Sequence, residues 1–263
     1  ITIAGEKITD KKLAGEKLLE AISKVKPGDV VGISGFLAVG EPLELIEELV
    51  RQNQQDLTLV SVVTSHPGKE VGVGRLCENH QVKKYVAAHI GTSPAAQKEY
   101  FSGEMEVEFT PMGTVVERLH AAGAGLGGVL TPTGVGTILE NDHEKVVRNG
   151  REYLFYNPLK LDVALIKATK ADKYGNLYID GTTKNISLQL ALAADTVIVE
   201  TNEIVEVGEI KPDDVYIPGI LVDYVVQGLT PEEHHKMMGD LWTETNKLAG
   251  VKSVSYTHLT LPT

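Results

Sequence analysis

The segment GISGFLAVGEPLEL, residues 32–45, carries the clearest indication of the fold class of this chain. It reads as the end of a buried strand, a loop flanked by glycines and the start of an amphipathic helix. Gly35 and Gly40 relax the turn, and Pro42 suits the first helical turn, where a missing N–H costs nothing. Because the free N–H groups and the positive end of such a helix face a crevice, the loop predicts an anion site for a carboxylate or phosphate. It is neither a Walker loop nor a dinucleotide fingerprint.

Apolar, β-rich segments alternate with helical patterns along the rest of the chain. This alternation predicts an α/β fold with a mainly parallel sheet, because parallel strands need crossover connections and are buried on both faces. A hairpin that turns at Asn149-Gly150 is predicted to decorate the sheet. The predicted strands are 30–34, 57–63, 84–90, 127–130, 163–168 and 196–200, and the predicted helices are 10–25, 42–54, 114–122 and 186–194.

The length and composition predict one domain. The chain has 263 residues and 42% hydrophobic residues, enough for a buried core. We predict a domain over residues 1–250, with a core at about 10–228 and a polar helical extension at 229–250. Residues 251–263 do not continue the helical periodicity and are predicted to be a non-native tail. In the extension, His234, His235, Met237 and Met238 are predicted to form a solvated helix face, because adjacent histidines on a helix point about 100° apart.

The charge and the cysteine content exclude several classes of function. A formal net charge of −11 opposes binding to nucleic acid, which requires clustered basic residues. The longest apolar runs fall far short of the ~20 residues of a membrane span. The single cysteine, Cys77, excludes an internal disulfide framework and fits a reducing compartment, so a cytoplasmic protein is expected.

Two further loops carry features of a binding site. Gly134 and Gly136 follow Pro132 and allow a close backbone approach. Lys167, near the end of a predicted buried strand, and Lys170, in the polar loop after it, could meet a phosphate, although solvated lysines are the commoner outcome.

Five ordered motifs resemble the α subunit, or N-terminal half, of family I coenzyme A transferases, a group that includes acetate/butyrate:acetoacetate, 3-oxoacid and propionate CoA-transferases. The resemblance covers most of residues 26–226. It implies the three-layer α/β/α sandwich of these enzymes and transfer of coenzyme A from an acyl-CoA to a free carboxylate. The motifs are SGFLAVGEP (34–42), EVEFTPMGTVVERLHAAGAG (106–125), TPTGVGT (131–137), DVALIKATKADKYGNL (162–177) and PGILVD (218–223).

The resemblance also implies where the catalytic group lies. Such transfer needs a covalent carrier, and the family uses a glutamate in a Glu-Asn-Gly context on the β subunit or C-terminal half. This chain contains no Glu-Asn-Gly, and neither Glu78-Asn79 nor Glu140-Asn141 follows a buried strand. We therefore expect no catalytic residue in this chain, a β subunit or fused C-terminal half as partner, coenzyme A thioester as substrate, no separate cofactor and no metal. The residues predicted to contact substrate or coenzyme A are Ser34, Gly35, Phe36, Gly40, Pro42, Met112, Gly134 and Gly136.

Two positions depart from the family pattern. Ser34 stands where the family loop usually has the first of two glycines. Propionate-type members also tolerate a serine at this position. Met112 stands where 3-oxoacid members commonly have glutamine, whose amide can hydrogen-bond a 3-oxo group or a carboxylate. Met112 therefore argues against a strict acetoacetate preference. Two alternatives stay open: a sugar-phosphate isomerase or deaminase of related fold, which needs carboxylates facing a phosphate-binding lysine, and a non-catalytic ligand-sensing module.

Overall fold

A computed structural model describes residues 2–3, 11–64 and 66–245 of the chain. The predicted tail at 251–263 and the last part of the predicted extension lie outside these residues. The strands are β1 (Thr2–Ile3), β2 (Val30–Ile33), β3 (Leu57–Val60), β4 (Val82–Ala87), β5 (Glu106–Phe109), β6 (Val129–Thr131), β7 (Lys145–Arg148), β8 (Arg151–Tyr156), β9 (Leu161–Asp172), β10 (Leu177–Tyr178), β11 (Ala194–Val205) and β12 (Tyr224–Gln227). The helices are α1 (Lys11–Ile22), α2 (Leu43–Gln52), α3 (Gly74–Glu78), α4 (Pro94–Ser102), α5 (Met112–Gly123), α6 (Ser187–Ala193) and α7 (Pro231–Glu244).

The main sheet is parallel apart from one short strand. Its strand order is β1-β12-β11-β9-β2-β3-β4-β5, and β10 pairs antiparallel with β9. The long strands β9 and β11 pair in parallel, and β9 also pairs in parallel with β2. The carboxyl ends of these strands therefore meet at one edge of the sheet, where α/β proteins place their ligand sites.

Helices cover both faces of the sheet, which confirms the predicted α/β/α sandwich. One buried apolar layer joins α1, α2, α3, α4 and α7 to one face, with Ile46 and Leu76 fully buried in it. The other layer joins α5 and α6 to the opposite face through residues such as Leu119 and Leu190. From Val163 to Ile166, successive residues of β9 alternate between these layers, because strand side chains point to opposite faces in turn.

The Asn149-Gly150 hairpin is confirmed, but one predicted strand belongs elsewhere. Asn149 and Gly150 both have positive φ, 51° and 74°, as a type I′ turn between β7 and β8 requires. The segment 127–130 was predicted to belong to the parallel sheet, and this prediction is wrong: β6 pairs antiparallel with β8 in a separate three-stranded sheet. β6 is only partly buried, because it lines the hairpin and does not fill the centre of the sandwich.

Two other features differ from the sequence prediction. Strand β5 was missed because its Glu-Val-Glu-Phe sequence, at the open edge of the sheet, lacks the apolar run of a buried strand. The solvated face predicted for the extension is also wrong in part. His235 is exposed, whereas Met238 on the same helix, α7, is buried against the first apolar layer.

Candidate functional site

The loop after β2 is held from within by Ser34. This residue is 1% exposed, and its hydroxyl donates to the Gly40 carbonyl at 2.9 Å. The same oxygen accepts the backbone N–H of Lys167, on β9, at 3.0 Å. Ser34 thus fixes both ends of the glycine loop to the centre of the sheet, and its predicted contact with a ligand stays a prediction.

A tight turn forms the tip of this loop. The backbone groups of Phe36 and Val39 bond each other in both directions, at 2.9 and 3.0 Å. Leu37 and Ala38 between them have φ values of 53° and 71°, in the left-handed region that non-glycine residues seldom occupy. Such strain concentrates at ligand sites and persists only where the surrounding structure enforces it.

The carboxylate of Glu41 enforces this turn. Its Oε1 accepts the N–H of Ala38 at 2.8 Å, and its Oε2 accepts the N–H of Val73, at the start of α3, at 3.0 Å. A Cβ on Gly72 would lie 1.7 Å from Oε2, so only glycine leaves room for the carboxylate. Burial raises the pKa of Glu41 to about 7, against the opposing effect of the two backbone hydrogen bonds. Sequence reasoning missed Glu41, because its partners come from two separate loops.

A carboxylate of the chain itself occupies the N-terminus of α2. Oε2 of Glu200 accepts the N–H groups of Glu44 and Leu45, at 2.9 and 3.2 Å. The prediction that these groups face an external anion is therefore wrong, because Glu200, in the middle of β11, satisfies them and complements the helix dipole. The predicted anion-binding role now rests on the loop alone. Pro42 is buried and precedes the helix as its N-cap residue.

Lys167 pairs with the same carboxylate. Its ammonium lies 2.9 Å from Oε1 of Glu200, and the two side chains are 5% and 3% exposed. A solvated Lys167 was expected, and this expectation is wrong, because the lysine points into the sandwich and not beyond the strand end. Lys170, three residues later, is half-exposed and pairs with Glu203 at 3.0 Å.

Two titratable groups surround this buried ion pair. Burial, and then the charge of Glu200, raise the pKa of Glu44 at the start of α2. Burial lowers the pKa of His234 on α7 to about 4, and the positive charge of Lys167 adds to the effect. His234 is therefore neutral at pH 7. The sequence offered one usable signal for this cluster, the charged Glu200 at the end of a predicted strand.

The other predicted contact residues lie along the same edge of the sheet but not together. Met112 begins α5, after β5, and is 40% exposed. In the sheet β5 lies three strands from β2, so the two strands are roughly 14 Å apart. Phe36 is half-buried against the second apolar layer.

The glycine pair at Gly134 and Gly136 forms a turn at the end of β6. The N–H of Gly136 donates to Oε1 of Glu140 at 2.5 Å, and Glu140 also pairs with Lys145 at 3.0 Å. Gly136 has a φ of 78° and no heavy atom within 4 Å of a Cβ built on it, so its face is open. Glu140 acts here as a cap for the glycine turn.

A parallel sheet with glycine-bounded loops at its carboxyl edge defines an α/β domain of the ligand-binding type. The family profile "Coenzyme A transferase" matches residues 16–228, and the chain belongs to this family. The chain is 46% identical over 202 residues to the acetoacetyl-CoA:acetate/butyrate CoA transferase alpha subunit of Clostridium acetobutylicum, covering 77% of this chain and 92% of that one. It is 39% identical over 209 residues to the acetate CoA-transferase subunit alpha of Escherichia coli, covering 80% and 94%.

A solved structure supports the fold. The acyl-CoA transferase apoenzyme of Escherichia coli O157:H7 superposes with a TM-score of 0.77 at 23% identity, covering 82% of this chain. The present chain spans 47% of that protein, about half its length. In the part of the chain that the structure describes, no helix combines the length and apolar character needed to cross a bilayer.

Proposed function

We propose that this chain is the α-type half of a coenzyme A transferase that moves coenzyme A from an acyl-CoA to a short-chain carboxylate or 3-oxo acid. The observation that carries the proposal is the 46% identity to a CoA transferase alpha subunit across 92% of that subunit. A partner β subunit, or a C-terminal half, supplies the glutamate that carries coenzyme A as a glutamyl thioester.

The hydrogen bonds of the carboxylates of Glu41 and Glu200 support a nucleophile from outside this chain. A nucleophilic carboxylate must reach the thioester carbonyl with a free oxygen. Both oxygens of Glu41 accept backbone N–H groups, and both oxygens of Glu200 have donors. These two carboxylates hold the loop and the helix in place. We therefore assign the nucleophilic attack on the thioester to a glutamate of the partner.

The buried lysine argues against the isomerase alternative. A sugar-phosphate enzyme of related fold needs a lysine that faces the phosphate. The side chain of Lys167 is 5% exposed, and its ammonium pairs with Glu200. The positive charge of Lys167 is therefore neutralised by Glu200 inside the sandwich and does not face a phosphate site.

The acyl group is proposed to be short. The relatives from Clostridium acetobutylicum and Escherichia coli are named for acetoacetyl, acetate and butyrate groups. Met112 offers a weak acceptor where an amide would favour a 3-oxo group, so we propose a preference for simple short acids. The proposed reaction uses a coenzyme A thioester as substrate and needs no resident cofactor, and the single cysteine fits a cytoplasmic enzyme.

The test is to locate the covalent intermediate. This chain is co-purified with a β subunit of the same family and incubated with acetoacetyl-CoA, and the adduct is reduced with borohydride and located by peptide mass spectrometry. We expect an adduct on a β-subunit glutamate, exchange of labelled acetate into acyl-CoA by the complex, and no exchange by this chain alone. An adduct on Glu41, Glu44 or Glu200 would overturn the proposed division of labour.

A further inference from the structure

Three side chains with metal-binding atoms meet at the opposite edge of the sheet from the Ser34–Pro42 loop. His80 follows α3 and precedes β4, while Glu99 on α4 and Glu104 beyond it precede β5. One ligand atom from each residue lies within 4.8 Å of the other two. Nδ1 of His80 is 2.5 Å from Oε1 of Glu99 and 4.0 Å from Oε2 of Glu104.

The carboxylate of Glu99 is buried with an oxygen left unsatisfied. Its side chain is 4% exposed, and Oε2 has no hydrogen-bond partner among the described residues. The other oxygen, Oε1, pairs with the imidazole of His80 in the same cluster. A buried carboxylate oxygen without a donor is costly, and a bound cation is one way to offset that cost. Glu41 differs, because each of its oxygens accepts a backbone N–H.

The backbone already holds the three residues beside one another. Gly103, with a φ of 79°, ends α4 and turns the chain. The N–H of Glu104 then donates to the Glu99 carbonyl at 3.0 Å, which brings Glu104 back over the last turn of the helix. His80 is also in the left-handed region, with a φ of 56°.

We propose that His80, Glu99 and Glu104 bind a divalent transition-metal ion of the zinc type. One imidazole nitrogen and two carboxylate oxygens suit Zn²⁺, Co²⁺ or Ni²⁺, whereas Mg²⁺ and Ca²⁺ prefer oxygen ligands alone. Ligand bonds of about 2.1 Å in a tetrahedral site place ligand atoms about 3.4 Å apart. The 2.5 Å His80–Glu99 contact must therefore open and the 4.0 Å His80–Glu104 distance must close. Both movements are available, since the side chains of His80 and Glu104 are 65% and 64% exposed.

Such an ion would cross-link α3 and α4 at the edge where β4 and β5 begin. The site is independent of the proposed transferase function, because none of its residues lies in the loops at the carboxyl edge. Sequence analysis predicted no metal and did not consider this cluster, whose residues His80 and Glu99 are 19 positions apart. The short helices α3 and α4 bring these positions together.

Zinc titration of the full chain, after treatment with a chelator, tests the proposal by calorimetry and by thermal unfolding. We compare the wild type with His80→Asn and Glu104→Gln. Asparagine tolerates positive φ, so His80→Asn removes the imidazole without opposing the backbone. The matched control is His120→Asn, because His120 is 55% exposed and pairs with one glutamate, Glu117, at 3.3 Å.

The wild type and the control are expected to bind one Zn²⁺ with a micromolar dissociation constant and to unfold at a higher temperature with zinc. Removal of an outer-shell partner typically costs 10–100-fold in metal affinity, so loss of a direct ligand should weaken binding at least about tenfold in both test variants. Bound Co²⁺ should show a visible absorption band that changes in these variants. Equal zinc affinity in the wild type and Glu104→Gln, or no saturable binding by the wild type, would overturn the proposal. Glu104 is exposed, so this comparison holds even if His80→Asn does not fold.

Discussion

The ammonium of Lys167 lies 2.9 Å from Oε1 of Glu200, and Oε2 of the same carboxylate accepts two N–H groups of α2. One buried ion pair thus joins β9, β11 and the helix that follows the glycine loop. A Cβ on Gly228 would lie 2.7 Å from Oε1, so the end of β12 also shapes the space for this carboxylate. The position of the loop depends on this pair.

Lys167→Met should destabilise the fold strongly. It leaves Glu200 buried without its counter-ion, and breaking a buried pair in this way typically costs about 3–5 kcal/mol. Urea denaturation measures the free energy of unfolding. Lys170→Met is the matched control, since Lys170 pairs with Glu203 on the same two strands but is 43% exposed, and the loss of an exposed pair costs about 0–1 kcal/mol. Equal effects of the two substitutions would show that burial does not strengthen the Lys167 pair.

Glu41 should make stability fall as the pH rises through neutrality. Its pKa is 4.5 when unfolded and about 7 in the fold, so the folded state binds the proton more tightly. The stabilising contribution of the protonated carboxyl is complete below pH 4.5 and is lost as the pH rises through about 7. A tenfold change in proton affinity is about 1.4 kcal/mol, which makes the total loss about 3 kcal/mol.

The measurement compares the free energy of unfolding of the wild type and Glu41→Gln from acid to mildly alkaline pH. Glutamine does not titrate, and it leaves one backbone N–H without an acceptor. The variant should therefore start less stable at low pH and lose less stability as the pH rises. Parallel pH profiles would contradict the pKa assigned to Glu41.

Gly35→Ala should inactivate the assembled transferase. Gly35 has a φ of 103°, and its Cβ would lie 2.5 Å from Cγ and 2.6 Å from the backbone nitrogen of Glu41. The substitution should displace Glu41 and the Leu37–Ala38 turn. A misplacement of about 1 Å can cost ~100-fold in rate, so exchange of labelled acetate should fall by about that factor. Gly208→Ala is the control, because Gly208 also has positive φ but no atom within 4 Å of its Cβ. Full activity of Gly35→Ala would contradict the assignment of this loop to the active site.

Met112→Gln should shift substrate preference toward 3-oxo acids. If Met112 lines the acyl pocket, one added hydrogen bond worth ~1.4 kcal/mol changes the ratio of specificity constants about tenfold. Steady-state kinetics of the complex with acetoacetate and butyrate measure this ratio. Leu126→Gln adds the same amide at another exposed apolar position, 55% exposed, and should leave the ratio unchanged. An unchanged ratio in Met112→Gln would place this residue away from the acyl group.

Elements whose causes are local could be predicted from the sequence alone. The buried run before Ser34, the glycine loop and the periodicity after Pro42 predict β2, its loop and α2, because each depends on residues a few positions apart. The turn at Asn149-Gly150 is local in the same way, since these residue types tolerate positive φ. The ordered motifs extended these local predictions to the family and its sandwich.

The contents of the site depend on contacts between distant parts of the chain. Glu200 reaches Lys167 across 33 positions and Glu44 across 156, and no periodicity in the sequence links them. Whether a lysine is solvated or buried, and whether a helix N-terminus faces a ligand or a carboxylate of the same chain, depends on which strand ends lie side by side. The raised pKa of Glu41 has the same origin, because burial sets it and burial exists only once the loops after β2 and β3 pack together.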